Sequence, residues 1–433
     1  MFKFHKLDNV TNFLGRGVQP AYDENGIIVF NQRCVRNNIV SLKESRITNP
    51  EKRKISKEKF LQKYDVLVNS TGVGTLGRVG QIKDINYAAT VDSHVTIVRP
   101  NLSCFNGLFF GYAMVYSQPK IEAMGEGTTG QTELSRKRLG SQIKVPIPNL
   151  EIQNKIAEIL TVYDNLIENN NNRIQILSKL TEIIFREWFI KYRFPSKEKF
   201  EMIESEVGLI PQNWEIKPLR ELISYYIGGG WGKEYHESDF PDEAYVIRGT
   251  DIPQVSVGNL KSCPHRFHKA SNLKSRKIKS TDIVFEVSGG SKGQPVGRNI
   301  LITEEVVNRL SNIMCASFCK LIRPNNELIS PFFLDQFFKY IYKSGEILTY
   351  QTQSTGISNF KFEYFLDKVM IAVPPKELSI EFTNIISPIY ELIAKLGHKN
   401  EILLQKRDLI LPKLISGQID ITDLDIITEE IES

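Results

Sequence analysis

A chain of 433 residues with 41% hydrophobic and 24% charged residues has the composition of an ordinary soluble protein of two to four domains. MFKFHKLDNV carries no apolar signal-peptide core, and the longest apolar stretch, around Leu108 to Tyr116, is too short to span a bilayer. The five cysteines are odd in number and scattered, which argues against a disulfide framework and sets the expectation of a reducing, cytoplasmic location.

The net charge of +5 is unevenly spread: residues 420–433 hold six acids and no base, so the rest of the chain stands near +11. From Arg36 to Lys63 there are nine Lys/Arg against three Glu, and from Lys261 to Arg298 nine against Asp282 and Glu286. Either block serves equally as a solvated loop, but two of them beside Gly-rich turns point to anionic partners, nucleic acid first.

In chain order, short Val/Ile/Phe/Tyr runs bounded by turn formers predict strands at Ile27–Phe30, Val66–Val68, Val95–Val98, Tyr245–Ile247, Ile283–Val287 and Phe318–Ile322. Helical pieces are expected at Leu108–Tyr116 and Pro331–Lys343. After Val68 comes STGVGTLGRVG, residues 70–80, whose glycines 72, 74 and 77 match the spacing of a dinucleotide-binding turn. That turn must open a helix, whereas Arg78-Val79-Gly80-Gln81 followed by Asp84–Asn86 reads as strand and hairpin. Gly228-Gly229-Gly230-Trp231-Gly232-Lys233 fails as a phosphate loop because Ile227 and Glu234 stand where Gly and Ser/Thr belong. Cys315 and Cys319, and Cys263 near His265 and His268, find no second ligand pair, so no metal site is expected.

After Pro148, apolar residues recur in steps of three and four at 152, 156, 159, 163 and 166, then at 174, 177, 180 or 184, and 188, the pattern of a long amphipathic helix. The Asn169–Asn172 run either closes an αα-hairpin or is a polar stutter in one helix; the stripe resumes in phase, which favours the stutter. A second stripe runs through Ile385, Ile389, Leu392, Leu396, Leu403 and Leu409. The simplest burial for two such stripes is on each other, antiparallel.

The chain is written twice. A shift of 226 residues lays Thr129-Gly130 on Thr355-Gly356, Leu134 on Phe360, Leu139 on Phe365, Pro148 on Pro374 and Ile159 on Ile385. Upstream, Asp65-Val66-Leu67-Val68 answers Asp282-Ile283-Val284-Phe285, and Val98-Arg99-Pro100-Asn101 answers Ile322-Arg323-Pro324-Asn325. The Gly-rich turn recurs without its G-x-G-x-x-G spacing; only a closing Gly-Arg persists, at 77–78 and 297–298. The expectation is an α+β pseudo-repeat of a globular module followed by a long helix.

Arg186 to Pro195 (REWFIKYRFP), Gly208 to Glu215 (GLIPQNWE) and Leu411 to Asp420 (LPKLISGQID), with Leu67 to Gly72 and Thr129 to Leu134, resemble the specificity (S) subunits of type I restriction–modification enzymes across essentially the whole chain. Module one lacks a counterpart of Ile210-Pro211-Gln212-Asn213-Trp214. The resemblance implies two target-recognition domains, 1–149 and 195–375, separated by two long antiparallel helices, 150–194 and 376–420, with an acidic tail at 421–433. It implies a non-catalytic chain in which each domain reads half of a split site in double-stranded DNA. The helices set the spacer and dock two modification (methyltransferase) subunits; restriction subunits join them. S-adenosylmethionine, ATP and Mg belong to those partners.

DNA reading needs a basic surface for phosphates and polar side chains for base edges. The phosphate candidates are Arg36, Arg46, Arg53, Lys54 and Lys57 in module one, and Lys261, Arg266, Lys269, Lys274, Arg276, Lys277 and Lys292 in module two. The base-reading candidates are Ser70, Thr71, Thr75 and Arg78, and Ser288, Ser291, Lys292, Gln294 and Arg298, with Thr129, Gln131, Thr355, Ser358 and Asn359. Each has a plain reading as surface charge or turn structure. Residues that match between copies belong more to folding; those that differ at equivalent places belong more to specificity. Trp188, Phe189 and the outer helix faces are candidates for methyltransferase docking. A helical scaffold with non-specific nucleic-acid binding is the competing class; a self-sufficient methyltransferase or nuclease is disfavoured by absent motifs.

Overall fold

The computed structural model describes residues 2–125, 133–195, 200–289, 294–354 and 357–425. The chain divides into two compact units, Met1–Asn165 with Leu404–Ser433, and Leu166–Leu403.

In unit one the larger sheet runs in the order Thr11–Arg16, Val95–Pro100, Val66–Asn69, Val79–Gln81, Ile39–Val40, Val35–Arg36. A smaller sheet places Tyr22–Phe30 between the edge strand Arg46–Thr48 and Ala89–Val91, the last pairing parallel. Unit two repeats this. Ile223–Gly228, Cys319–Pro324, Ile283–Glu286 and Asn299–Leu301 form one sheet, and Asp242–Ile247 lies between the edge strand His265–His268 and a parallel Ile313–Cys315. In both units a helix covers the larger sheet, Gly107–Glu122 in one and Pro331–Ser344 in the other.

The recurring apolar word has a clear physical cause. Val66 and Val68 enter one core while Leu67 enters a second one behind the sheet. Ile283 and Phe285, against Val284, divide in the same way. A strand buried on both faces reads as a continuous apolar run, and each such side chain contributes about 1.5–3 kcal/mol of burial.

The first strand of unit one is Phe4–Lys6, paired with Lys144–Pro146; its counterpart is Glu215–Pro218, paired with Met370–Val373. The hairpin Met202–Ser205 with Gly208–Pro211 is therefore an addition of unit two, which explains why module one has no counterpart of Ile210 to Trp214.

Leu150–Phe185 is helical throughout and closes in a π-helical turn, Arg186–Ile190; the second long helix is Lys376–Ser416. The Asn run stays helical because it has a partner: Asn170 Nδ2 donates to Asn400 Oδ1 (2.8 Å), and Asn400 Nδ2 donates to Asn171 Oδ1 (2.9 Å). With Ile174 clustered beside Ile393 and Leu396, the helical stretches in unit two run antiparallel. In unit one Lys155 meets Thr422 and Asp164 meets Arg407, again antiparallel.

Trp188 and Phe189 are corrected. They are buried with Phe185, Trp214, Phe333 and Phe382, with Phe189 4.8 Å edge-on to both Phe333 and Phe382. The words REWFIKYRFP and GLIPQNWE are a packing device: Trp214 closes over Phe189, Tyr192 and Phe194. These aromatics are core and offer no docking face.

Candidate nucleic-acid interface

The turn after Val66–Asn69 is held by its own side chains. Thr71 Oγ1 lies 2.8 Å from His94 Nδ1, Thr75 Oγ1 donates to the Thr71 carbonyl (3.3 Å), and Arg78 Nη2 donates to the Gly74 carbonyl (2.7 Å). Gly77 has φ +82°, and a Cβ there would stand 2.6 Å from Glu122 Cα. Gly297, its counterpart, has φ +107° and would press a Cβ to 2.6 Å from Ile347. The persistent glycine is thus required by left-handed backbone and by close approach, and the chain leaves as the strand Val79–Gln81.

Ser70 faces inward, fully buried, its hydroxyl 2.6 Å from that of Thr96; the structure gives it to the core rather than to a binding surface. Arg298 is turned to the buried Glu286, donating from Nε (2.8 Å) and Nη2 (2.6 Å). Arg276 donates to the Gly228 carbonyl (2.9 Å) and to Asn272 (3.1 Å). These two arginines are occupied by the fold. Arg36, Arg46, Arg53, Lys54 and Lys57 are exposed, as are Lys261, Lys269, Lys274 and Lys277. Lys274, Lys277, Lys279 and Arg323, with Asp242, line an open depression of about 430 Å³. Arg266 lies against Trp231 and Glu234. Gln294 is exposed and bonds Tyr342; Ser288 Oγ donates to Asn359 Oδ1 (2.7 Å), and Ser358 pairs with Gln353 across the hairpin. Thr129, Gln131, Ser291, Lys292 and Thr355 lie outside the described residues.

Two features went unread in the sequence. Arg99 forms a two-pronged bond to Asp65 (2.8 Å for each prong), and Arg323 does the same to Asp282 (2.7 Å for each). These are the recurring Asp and Arg of the repeat words, so the words encode a scaffold pair. The second is Asp164, where Lys83 (2.9 Å), Tyr112 (2.8 Å) and Arg407 (2.8 Å) converge. Its counterpart in unit two is inverted: Tyr390 on the long helix donates to Asp335 (2.6 Å). The 226-residue shift that lays Asp164 on Tyr390 was the available signal.

Burial alone would raise the Asp164 carboxyl, yet Lys83, Arg407 and Tyr112 together hold it below the ordinary carboxylate range. Burial pushes the Tyr112 phenol up, and Asp164 adds to the rise. A depressed carboxyl means the unfolded chain binds the proton more tightly. The stabilisation is therefore present above about pH 4 and lost as the pH falls through the lower folded value. Asp164→Asn should melt below the parent at pH 7, with the gap closing toward pH 3 in thermal scans. A gap that stays constant over that range would rule out an ionised Asp164. Burial also pushes the thiols of Cys263 and Cys315 up to about 12, as fits core positions. Among the described residues, no three of His, Cys, Asp and Glu converge on a metal-sized site.

Residues 4–179 match the family model of the type I restriction modification DNA specificity domain. The type I restriction enzyme MjaIX specificity subunit of Methanocaldococcus jannaschii is 26% identical over 290 residues, 65% of this chain and 62% of that one. The type I restriction enzyme HindI specificity subunit of Haemophilus influenzae is 21% identical over 94% of this chain and 98% of its own length. The chain is similar to the specificity subunits of type I restriction–modification enzymes. A crystal structure of such an S subunit from M. genitalium shares the fold at TM-score 0.55 and 16% identity, covering 98% of this chain and 97% of that chain. The alignment to the first relative spans less than two thirds of that protein's length.

The Asp–Arg scaffold pair recurs in both units. Among the described residues, no helix is long and apolar enough to cross a membrane.

Proposed function

We propose that this chain is the DNA-reading, non-catalytic subunit of a type I restriction–modification complex in the cytoplasm. Each unit reads one half of a bipartite duplex site. S-adenosylmethionine, ATP and Mg are bound by methyltransferase and restriction partners. The observation that carries the reading is duplication with divergence. The same sheets, Asp–Arg pair and Gly-Arg turn occur twice, yet the basic exposed residues around them differ, as two unlike half-sites demand. The long helices serve as spacer. Exposed apolar residues on them, among them Val162 and Leu409 in unit one and Leu166, Ile176, Leu180 and Ile183 in unit two, are the candidates for contact with methyltransferase subunits.

Competition binding tests the reading. A complex with the methyltransferase subunit should prefer one bipartite duplex to scrambled DNA by at least about 10³-fold at physiological salt. The logarithm of affinity should fall linearly with the logarithm of salt, by about 0.9 per phosphate neutralised. Equal binding to every duplex would place the chain with non-specific scaffolds instead.

A further inference from the structure

The small sheet of each unit ends in a short edge strand, Arg46–Thr48 in unit one and His265–His268 in unit two. Each carries an arginine laid on an aromatic ring. The Arg46 guanidinium lies 4.0 Å from the centroid of Tyr22, and that of Arg266 lies 4.6 Å from the centroid of Trp231. Both rings face solvent, Tyr22 at 47% and Trp231 at 40% exposure. The edge strand is the same one in both units, the two arginines stand two residues apart in register, and the platform differs.

The unit-two platform is a built one, and it accounts for the glycine run that fails as a phosphate loop. A Cβ at Gly229 would sit 2.2 Å from the carbonyl oxygens of both Cys315 and Ala316. Gly230 N–H donates to the Cys315 carbonyl (2.9 Å), and Gly232 takes φ +72° with the Phe267 carbonyl 2.5 Å from any Cβ. Glycine alone lets the backbone lie this close and turn out again, presenting Trp231 under Arg266. The Arg266 Nε is buried without a hydrogen-bond partner, and its ion pair is to Glu234 (2.8 Å), whose side chain is 66% exposed. The Arg266 side chain is itself 14% exposed, so Trp231 and Glu234 together fix its guanidinium in place.

We propose that Arg46 on Tyr22 and Arg266 on Trp231 are specificity-determining pairs, each reading a guanine through its O6 and N7 in the major groove of one half-site. Stacking fixes the guanidinium plane before binding, so less rotamer freedom is lost when the two parallel hydrogen bonds form. A planar, pre-set fork matches the paired acceptors of a guanine edge.

The inference rests on the DNA-reading function, and the two can fail separately. The complex with methyltransferase subunits is made with the parent chain and with Arg46→Gln, Arg266→Gln, Arg46→Lys and Arg266→Lys. Each is challenged with the preferred duplex and its single-base-pair variants. Arg266→Gln should lose about 10- to 100-fold of discrimination at one G·C pair in one half-site and none in the other half. Arg46→Gln should do the converse. The lysine variants keep the charge and the fold and should lose the same discrimination. If a variant instead binds all duplexes more weakly, with a salt slope shallower by about one and the motif intact, the arginine holds a phosphate and the inference is overturned. An unchanged motif overturns it too. A parent complex that prefers no duplex overturns the DNA-reading function itself.

Discussion

Arg99→Ala should cost unit one about 3–5 kcal/mol, because it strands a buried carboxylate. The Asp65 side chain is fully buried and that of Arg99 is 11% exposed. Asp65 takes both prongs of the guanidinium and the Gln62 backbone N–H (2.8 Å). Removing the arginine leaves a charge with no water to replace its partner. Arg323→Ala should cost less, since the Arg323 side chain is 30% exposed and its removal opens the buried Asp282 to solvent more readily. A double replacement, Asp65→Leu with Arg99→Met, should recover much of the loss, because the pair itself offsets little more than its own desolvation. Urea denaturation followed by two probes measures this. The three tryptophans, 188, 214 and 231, all lie in unit two. Circular dichroism should therefore move to lower urea for Arg99→Ala ahead of tryptophan fluorescence. A cost below about 1 kcal/mol would show that the carboxylate finds water and that the pair is dispensable.

Lengthening both long helices at their Asn contact should change the accepted spacer and nothing else. Four residues inserted after Asn171 and four before Asn400 preserve the partnership of Asn170, Asn171 and Asn400. They add about 6 Å of helix, against about 3.4 Å per base pair of duplex. The preferred site should gain one or two base pairs between unchanged half-sites. On the original spacing only one unit engages at a time, and affinity should fall by about 10² to 10⁴. Methylation mapped on a library of spacer lengths gives the answer directly. If a half-site changes while the spacing stays, the helices are part of the reading surface and not its ruler.

The strands and helices were legible where burial leaves a periodic trace. Val66-Leu67-Val68 and Ile283-Val284-Phe285 read as strands because both faces are covered, and the three- and four-residue steps after Pro148 became the helix Leu150–Phe185. The edge strands Arg46–Thr48 and His265–His268 left no such trace, since their exposed positions obey no apolar alternation. The candidate interface was half legible. Charge density found Arg46 and Arg266, but not the rings beneath them: Tyr22 lies in another strand, and Trp231 belongs to a loop that sequence spacing marks only as a failed nucleotide motif.

By itself, then, the sequence determined the duplication, the α+β composition of each copy, the long helices and the resemblance to specificity subunits, because these depend on local periodicity and on words that recur. The tertiary structure decided which of the named residues are free. Ser70 is spent on Thr96, Arg298 on Glu286, Arg99 on Asp65, and Trp188 on Phe382. Burial and ion pairing join residues twelve, twenty-six, thirty-four or nearly two hundred positions apart. A hydroxyl or a guanidinium is the same letter in the chain whether it faces a carboxylate or solvent; only the fold assigns its partner.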